Sequence, residues 1–355
     1  MRIPLVYKPE PVFGLDIGSH TVKLVQLKPG GNRPQVMGYG YAEFAVDSII
    51  EGIISDPKPI AEAIKQVMKN PKGGSISARR VNLSVPVAKV FTRTLQLPPN
   101  MTVAELDQAV RLEAEQYVPV PSADLYIDYE TITDPKGSPD HRDVLMVAAP
   151  RAIIDSYIKL FDFVDLQVES IETGLTSITR AMTAANPPQH RVIIVDFGTR
   201  SADLAIYEQG IRVTGSFSVG GDDLTQTLVK QLGITFDQAN EIKYKFGIRK
   251  SGLQDKIMTA LSPQLEHLTE ETKKVIKYYM DRSEDQSSFD TLFMTGGSAS
   301  MPGLVDYLYD RLKIPIIIGN PWLGLTYKHL PTLNRLEAPM YTTAIGLAQR
   351  GIKND

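Results

Sequence analysis

The sequence contains no cysteine, which excludes disulfides, thiolate-bound zinc and a cysteine nucleophile and suits a reducing cytoplasm. It has no run of about 18 apolar residues, so no transmembrane helix is expected. Its first residues, Met1 to Pro9, lack both a long apolar stretch and a small-residue cleavage site, so no signal peptide is expected either. Arg350 to Asp355 is polar and too short for a helix lying on a membrane. There is also little net charge: −3 over the chain argues against a general grip on nucleic acid or anionic lipid. What remains is a composition of ordinary soluble type. With 355 residues, 43% of them hydrophobic, the chain is long enough for two domains and can bury a sizeable core.

A pattern near the start returns in the second half. Val12-Phe13-Gly14-Leu15-Asp16-Ile17-Gly18-Ser19-His20-Thr21-Val22-Lys23-Leu24 reads as two buried strands around a short polar turn. Val192-Ile193-Ile194-Val195-Asp196-Phe197-Gly198-Thr199-Arg200-Ser201-Ala202-Asp203-Leu204 repeats it at an offset of 180 residues. Asp16 matches Asp196, Gly18 matches Gly198, Ser19 matches Thr199 and Thr21 matches Ser201. One such turn is an ordinary hairpin, because Gly and Asp are common in hairpins. Two in the same register imply a duplicated domain. Backbone N–H groups and hydroxyls around such a turn form a concavity that accepts phosphate oxygens, and the Asp can hold Mg²⁺, usually through its waters.

A third element follows in order. Phe289 to Met294 reads as a strand, Thr295-Gly296-Gly297-Ser298 as a glycine loop, and a helix is expected from about Met301-Pro302-Gly303. Glycines here let a flat ring approach the backbone. Two capping boxes, at Thr102–Glu105 and Thr235–Gln238, mark further helices. The second of these closes near Gly247, and Ser262 to Arg282 reads as another long helix.

These motifs resemble the actin, Hsp70 and sugar-kinase superfamily. The resemblance implies an α/β, actin-like (ribonuclease H-like) duplicated fold with two lobes around a nucleotide cleft. It implies two phosphate loops and an adenosine loop, with ATP or ADP and Mg²⁺ as ligands. Asp16 and Asp196 would then hold the metal. Gly18, Ser19, His20, Thr21, Lys23, Gly198, Thr199, Arg200 and Ser201 would surround the phosphates, and Gly296, Gly297 and Ser298 the adenosine side. Glu241 and Lys243 either reach the ribose and adenine, as residues of this segment do in the superfamily, or form a solvated charged face. Arg200 and Ser201 stand where a second Gly and a Thr often occur, so Arg200 either adds a donor to the phosphates or points to solvent. This departure, with no residue identifiable as orienting water, implies slow turnover. Ile171 to Leu175 and Tyr341 to Ala348 resemble the two connecting helices.

The expected organisation is a first lobe at 1–190, a second lobe at 191–340 with a helical subdomain at about 225–285, and a connecting helix and tail at 341–355. The first lobe is interrupted at about 86–164 by strands around Pro86, the Thr102 helix, strands at 125–132 and 144–149, and a helical segment, Arg151 to Val164. An α+β insertion in this place resembles the FtsA-like branch. Together with Leu112-Glu113-Ala114-Glu115-Gln116-Tyr117-Val118-Pro119 and Gly296-Gly297-Ser298-Ala299 it is similar to the PilM family of type IV pilus assembly. That likeness implies a cytoplasmic adaptor for pilus biogenesis and twitching motility. Such an adaptor is held at the inner-membrane platform by the N-terminal cytoplasmic tail of PilN, without inserting into the membrane itself. Leu112, Tyr117, Val118 and Val120 would line the groove for the tail or pack in the insertion's core. Two rivals share the fold: a polymerising cytoskeletal ATPase like FtsA, and a small-molecule kinase, for which no general base stands out.

Overall fold

The structure, a computed structural model, describes residues 10–132, 140–185, 187–188, 190–249, 254–283, 285–327, 330, 334 and 336–352. The N-terminal segment 1–9 and the tail beyond 352 lie outside them.

Near-continuous apolar runs become strands buried on both faces. β1 (Val12–Ile17), β2 (Thr21–Lys28) and β3 (Gln35–Glu43) form an antiparallel meander. A small hairpin, β4 (Ile49–Ile50) and β5 (Ile53–Ile54), leads to α1 (Pro57–Lys69), the short β6 (Gly73–Gly74) and β7 (Arg80–Val85). The insertion follows, with β8 (Phe91–Leu97), α2 (Val103–Tyr117), β9 (Leu125–Thr131) and β10 (Arg142–Pro150). The chain re-enters the first lobe through α3 (Arg151–Leu160), β11 (Gln167–Thr173) and α4 (Gly174–Thr183).

The second lobe repeats the plan. β12 (Val192–Phe197), β13 (Ala202–Tyr207) and β14 (Ile211–Phe217) form its meander. Then come α5 (Gly221–Leu232), α6 (Phe236–Lys245), α7 (Gln254–Met280), β15 (Thr291–Thr295), α8 (Leu304–Leu312), β16 (Ile316–Ile318) and finally α9 (Thr342–Arg350). In space the sheets run β6-β3-β2-β1-β7-β11 and β14-β13-β12-β15-β16, each meander continued by two parallel strands, with the short β6 added at the edge of the first. The matched order is the duplication that the two Asp-x-Gly turns announced.

Between the lobes, α4 and α9 pack so closely that a Cβ on Gly346 would lie 1.8 Å from the Ser177 carbonyl oxygen. A Cβ on Gly14 would likewise lie 2.1 Å from the Ala344 oxygen. Arg180 fastens the pair, donating to the Gly346 carbonyl at 2.8 Å and to Glu172.

In the insertion, Leu106, Val110 and Ala114 of α2 pack on Leu95, Val144 and Met146 of the antiparallel sheet β8-β10-β9. The α3 helix does not join this layer. Its Ile153, Ile154, Tyr157 and Leu160 enter the first lobe's core beside Phe13 and Leu15, so we draw the insertion's end at Pro150 instead of Val164.

Three local expectations differ from the structure. Pro302 does not open a helix: Gly297–Ser300 is a 3₁₀ turn and α8 starts at Leu304, after Gly303 at φ +85°. Ile171–Thr173 finishes β11, and the connecting helix begins at Gly174. The α7 helix starts at Gln254, not Ser262, and carries Pro263 inside it. Buried Ile257, Leu261, Leu265 and Leu268 make one helical stripe across the proline, and that burial outweighs the lost backbone bond.

Candidate functional site

Both aspartate turns close in the same way. Gly18 N–H donates to the Thr21 carbonyl at 2.8 Å, and Gly198 N–H to the Ser201 carbonyl at 2.9 Å. Each Asp sits near the end of its strand, and each faces the residue seven positions later across the hairpin. Here the two copies part. Asp16 faces Lys23, whose ammonium donates to Asp16 Oδ2 at 2.9 Å. Asp196 faces Asp203, a second carboxylate.

That difference sets the electrostatics. Burial, then the charges of Asp203 and Asp16, push the Asp196 carboxyl up to about 7, against smaller opposing effects of Lys23 and a hydrogen bond from Thr295 Oγ1 at 3.2 Å. Asp203 is also raised, chiefly by burial, although the hydroxyls of Ser201 and Ser216 donate to it. Arg200 of the second turn donates to the carbonyls of Val46 and Ile49, and nearby Phe44 N–H donates to the His20 carbonyl of the first turn, so the two turns lie on facing sides of the interlobe cleft. A carboxyl held up by neighbouring negative charge is a favourable place for a cation. Among the described residues no cluster of three or more acidic or histidine side chains gathers to cage a metal. A divalent ion held by one or two carboxylates, with phosphates and water completing its shell, fits that donor set, as is usual for Mg²⁺.

The glycine loop stands beside the second turn. Ser298 Oγ donates to the Gly198 carbonyl at 3.1 Å. Gly296 is at φ +87°, and a Cβ there would lie 2.5 Å from Asp196 Oδ1, so only glycine fits. A Cβ on Gly297 would meet no atom within 4 Å. One glycine of the pair is therefore required by the fold, while the other faces open space.

Other expected residues take different places. Ser19, His20 and Thr21 are half-buried in the first turn, and His20 Nδ1 is enclosed without a partner among the described residues. The Arg200 guanidinium reaches across to the first lobe, donating to the carbonyls of Val46 and Ile49 at 3.4 and 3.5 Å. It stays exposed, with its head group tied to the first lobe rather than to the loop's own concavity. Lys243 is not on a solvated face: it is buried and donates to the Gly221 carbonyl at 2.8 Å and to Thr225 Oγ1 at 2.7 Å. Burial lowers its pKa to about 8. Glu241, two residues earlier, is exposed.

Sequence reasoning passed over Gly220 and Gly221, which start α5 against the second turn. Gly221 N–H donates to the Gly198 carbonyl at 3.0 Å and Asp222 N–H to the Thr199 carbonyl at 2.9 Å. The signal was present, a second Gly-Gly between a strand and a helix in Val219-Gly220-Gly221-Asp222. Asp203 was legible too, as the counterpart of Lys23 in the repeat. Of the expected partner residues, Leu112 and Tyr117 are exposed and Val120 is partly covered. Val118 is buried with Leu125 and Ala148, so it offers no surface to a partner. No helix among the described residues is long and apolar enough to cross a membrane.

The family model for the type IV pilus assembly protein PilM matches residues 14–352. The cell division protein FtsA of Enterococcus faecalis is 23% identical over 373 residues, spanning 95% of this chain and 82% of that protein. A solved PilM–PilN type IV pilus biogenesis complex contains a chain that superposes with a TM-score of 0.84 at 22% identity, covering 97% of this chain and 99% of that one. MreB 5 of Spiroplasma citri bound to AMPPNP superposes at 0.54 with 13% identity, covering 96% and 95%. At these identities the solved structures show the actin-like fold.

Proposed function

The chain belongs to the type IV pilus assembly protein PilM family, and from that premise we propose that it is a nucleotide-binding adaptor of pilus biogenesis. The observation that carries the nucleotide half is the pair of matching aspartate turns on facing sides of the cleft, bridged beside the first turn by Arg200, with the Gly296–Ser298 loop fastened to the second. In this reading Asp16 and Asp196 hold Mg²⁺, directly or through water. Gly18 and Gly198 close the two turns, so that Ser19, Thr21, Thr199 and the backbone of Ser201 offer N–H or hydroxyl donors to phosphates, and the open side of Gly297 receives the adenosine. The bound cation would supply charge neutralisation for the phosphates. Lys243, whose ammonium is spent on Gly221 and Thr225, supports the second turn from behind through α5.

The adaptor half rests on family membership and on the insertion. We place the PilN tail at the junction of the insertion with the first lobe, where Tyr126 donates to Asp155 at 3.1 Å and exposed Ile158 lies on the same helix as Asp155. An extended tail binds such a junction with side-chain pockets and main-chain bonds, at moderate affinity because it must be ordered. Fluorescence anisotropy with a labelled PilN tail tests this in the nucleotide-free, ADP and ATP states. Saturable binding in at least one state, weakened by Ile158→Asp, is expected. Absence of binding in all three overturns the adaptor reading and leaves the nucleotide reading to its own test.

A further inference from the structure

A broad concavity lies away from the aspartate turns. It is a trough of about 1150 Å³ between the insertion and the second lobe. This exceeds the range of about 300–1,000 Å³ usual for small-molecule pockets, so a chain segment is the better-sized occupant. Its floor is the meeting of two edge strands, β8 and β14, tied where Thr94 Oγ1 donates to the Arg212 carbonyl at 2.9 Å. The end of α2 forms one wall with Glu113 and Tyr117; the last turns of α7, with Lys274 and Tyr278, and Arg282 just beyond the helix form the other.

The charges in this trough are not evenly satisfied. Asp143 is bonded to Arg212, and Glu208 accepts from Tyr279 and lies 3.6 Å from Arg191. Those carboxylates are spent inside the protein. Lys274 shares Glu271, which lies outside the lining. Arg93 and Arg282, both exposed, have no carboxylate partner among the described residues. Each instead lies over a tyrosine ring: Arg93 on Tyr117 at 4.8 Å and Arg282 on Tyr278 at 3.8 Å. Arg282 also donates through Nη1 to the Tyr278 carbonyl at 3.2 Å; the other N–H groups of a guanidinium stacked in this way remain for a carboxylate, and the ring beside it offers apolar contact.

We propose that this trough is the docking site for an acidic peptide segment of a partner protein, its carboxylates held by Arg93 and Arg282 from the two sides and its apolar groups seated against Tyr117 and Tyr278. A nucleic acid fits worse, because a phosphate at every nucleotide needs a longer run of cations than the two guanidinium groups left without a carboxylate here, in a chain of net charge −3. The site bridges the insertion and the second lobe, so its occupant ties the two together. It needs neither the nucleotide nor the PilN reading.

The test uses the full chain and a fluorescein-labelled peptide of about ten residues built from Glu, Tyr and Gly, beside the same peptide with Gln for Glu. Saturable anisotropy is expected for the Glu peptide only, weakening with salt. The Arg93→Glu/Arg282→Glu double variant, with a melting curve like the parent's, is expected to weaken it by about tenfold or more. Arg93→Lys/Arg282→Lys, which keeps the charge without the fork, should recover part of the affinity. Equal binding of the Gln peptide, an unchanged affinity in the charge-reversed variant, or displacement of the peptide by an equimolar single-stranded oligonucleotide would each overturn the proposal.

Discussion

At the scale of single residues, the two aspartates that the sequence pairs are not equivalent. Lys23 pairs with Asp16, whereas burial, and after it the charge of Asp203, holds the Asp196 carboxyl up at about 7. A carboxyl whose pKa is raised on folding contributes stability that is present below its unfolded value of 3.8 and lost as pH rises through about 7. The neutral amide introduced by Asp196→Asn does not titrate and carries no such cost. In metal- and nucleotide-free protein, the melting temperature of the variant should therefore gain on that of the parent as pH rises from about 5 to about 8. A gap independent of pH would contradict the placement of Asp196. The glycine pair gives a second prediction. Gly297→Val puts its side chain into open space, so it should melt like the parent yet bind ATP several-fold more weakly in a titration of Mg·ATP. Unchanged affinity would remove Gly297 from the nucleotide's path. The residue types were legible in the sequence at both places. Which glycine the fold needs, and which carboxylate is crowded, depended on what stands opposite each, and that is fixed by the hairpin partner and the neighbouring loop.

At the scale of elements, local signals served where a cap or a periodic stripe decides the outcome alone. The Thr102 capping box is present in both directions, with Thr102 N–H donating to Glu105 Oε2 at 2.8 Å and Glu105 N–H to Thr102 Oγ1 at 3.3 Å. The Thr235 box is formed in the same way. The start of α7 was misplaced because Ser262-Pro263 looks like the first turn of a helix. Only the tertiary burial of Ile257 and Leu261 upstream shows that the helix is already under way. The proline is exposed and makes no core contact that its removal would forfeit. Pro263→Ala is therefore expected to stabilise the protein by roughly 1–3 kcal/mol, read as a shift of the guanidinium unfolding midpoint with unchanged slope. A loss of stability would mean that the proline itself is needed where α7 packs against α5 and α8.

At the scale of the whole molecule, the duplication was visible in two short motifs because each lobe must close its meander with the same turn before its parallel strands begin. The cross-lobe contacts were not visible. Arg200 holding the carbonyls of Val46 and Ile49, and Gly346 seated against Ser177, join residues far apart in sequence whose local patterns say nothing of each other. The placement of α3 with the first lobe was hidden for the same reason, since its apolar stripe fits either neighbour until the cores are seen. The central claim is that the two lobes bind Mg·nucleotide between Asp16 and Asp196, and calorimetric titration of Mg·ATP into the parent, Asp16→Ala and Asp196→Ala proteins tests it most directly. A single site is expected in the parent, with affinity lower by about tenfold or more in each variant because a carboxylate facing the divalent charge is lost. Unchanged affinity in both variants would contradict that claim.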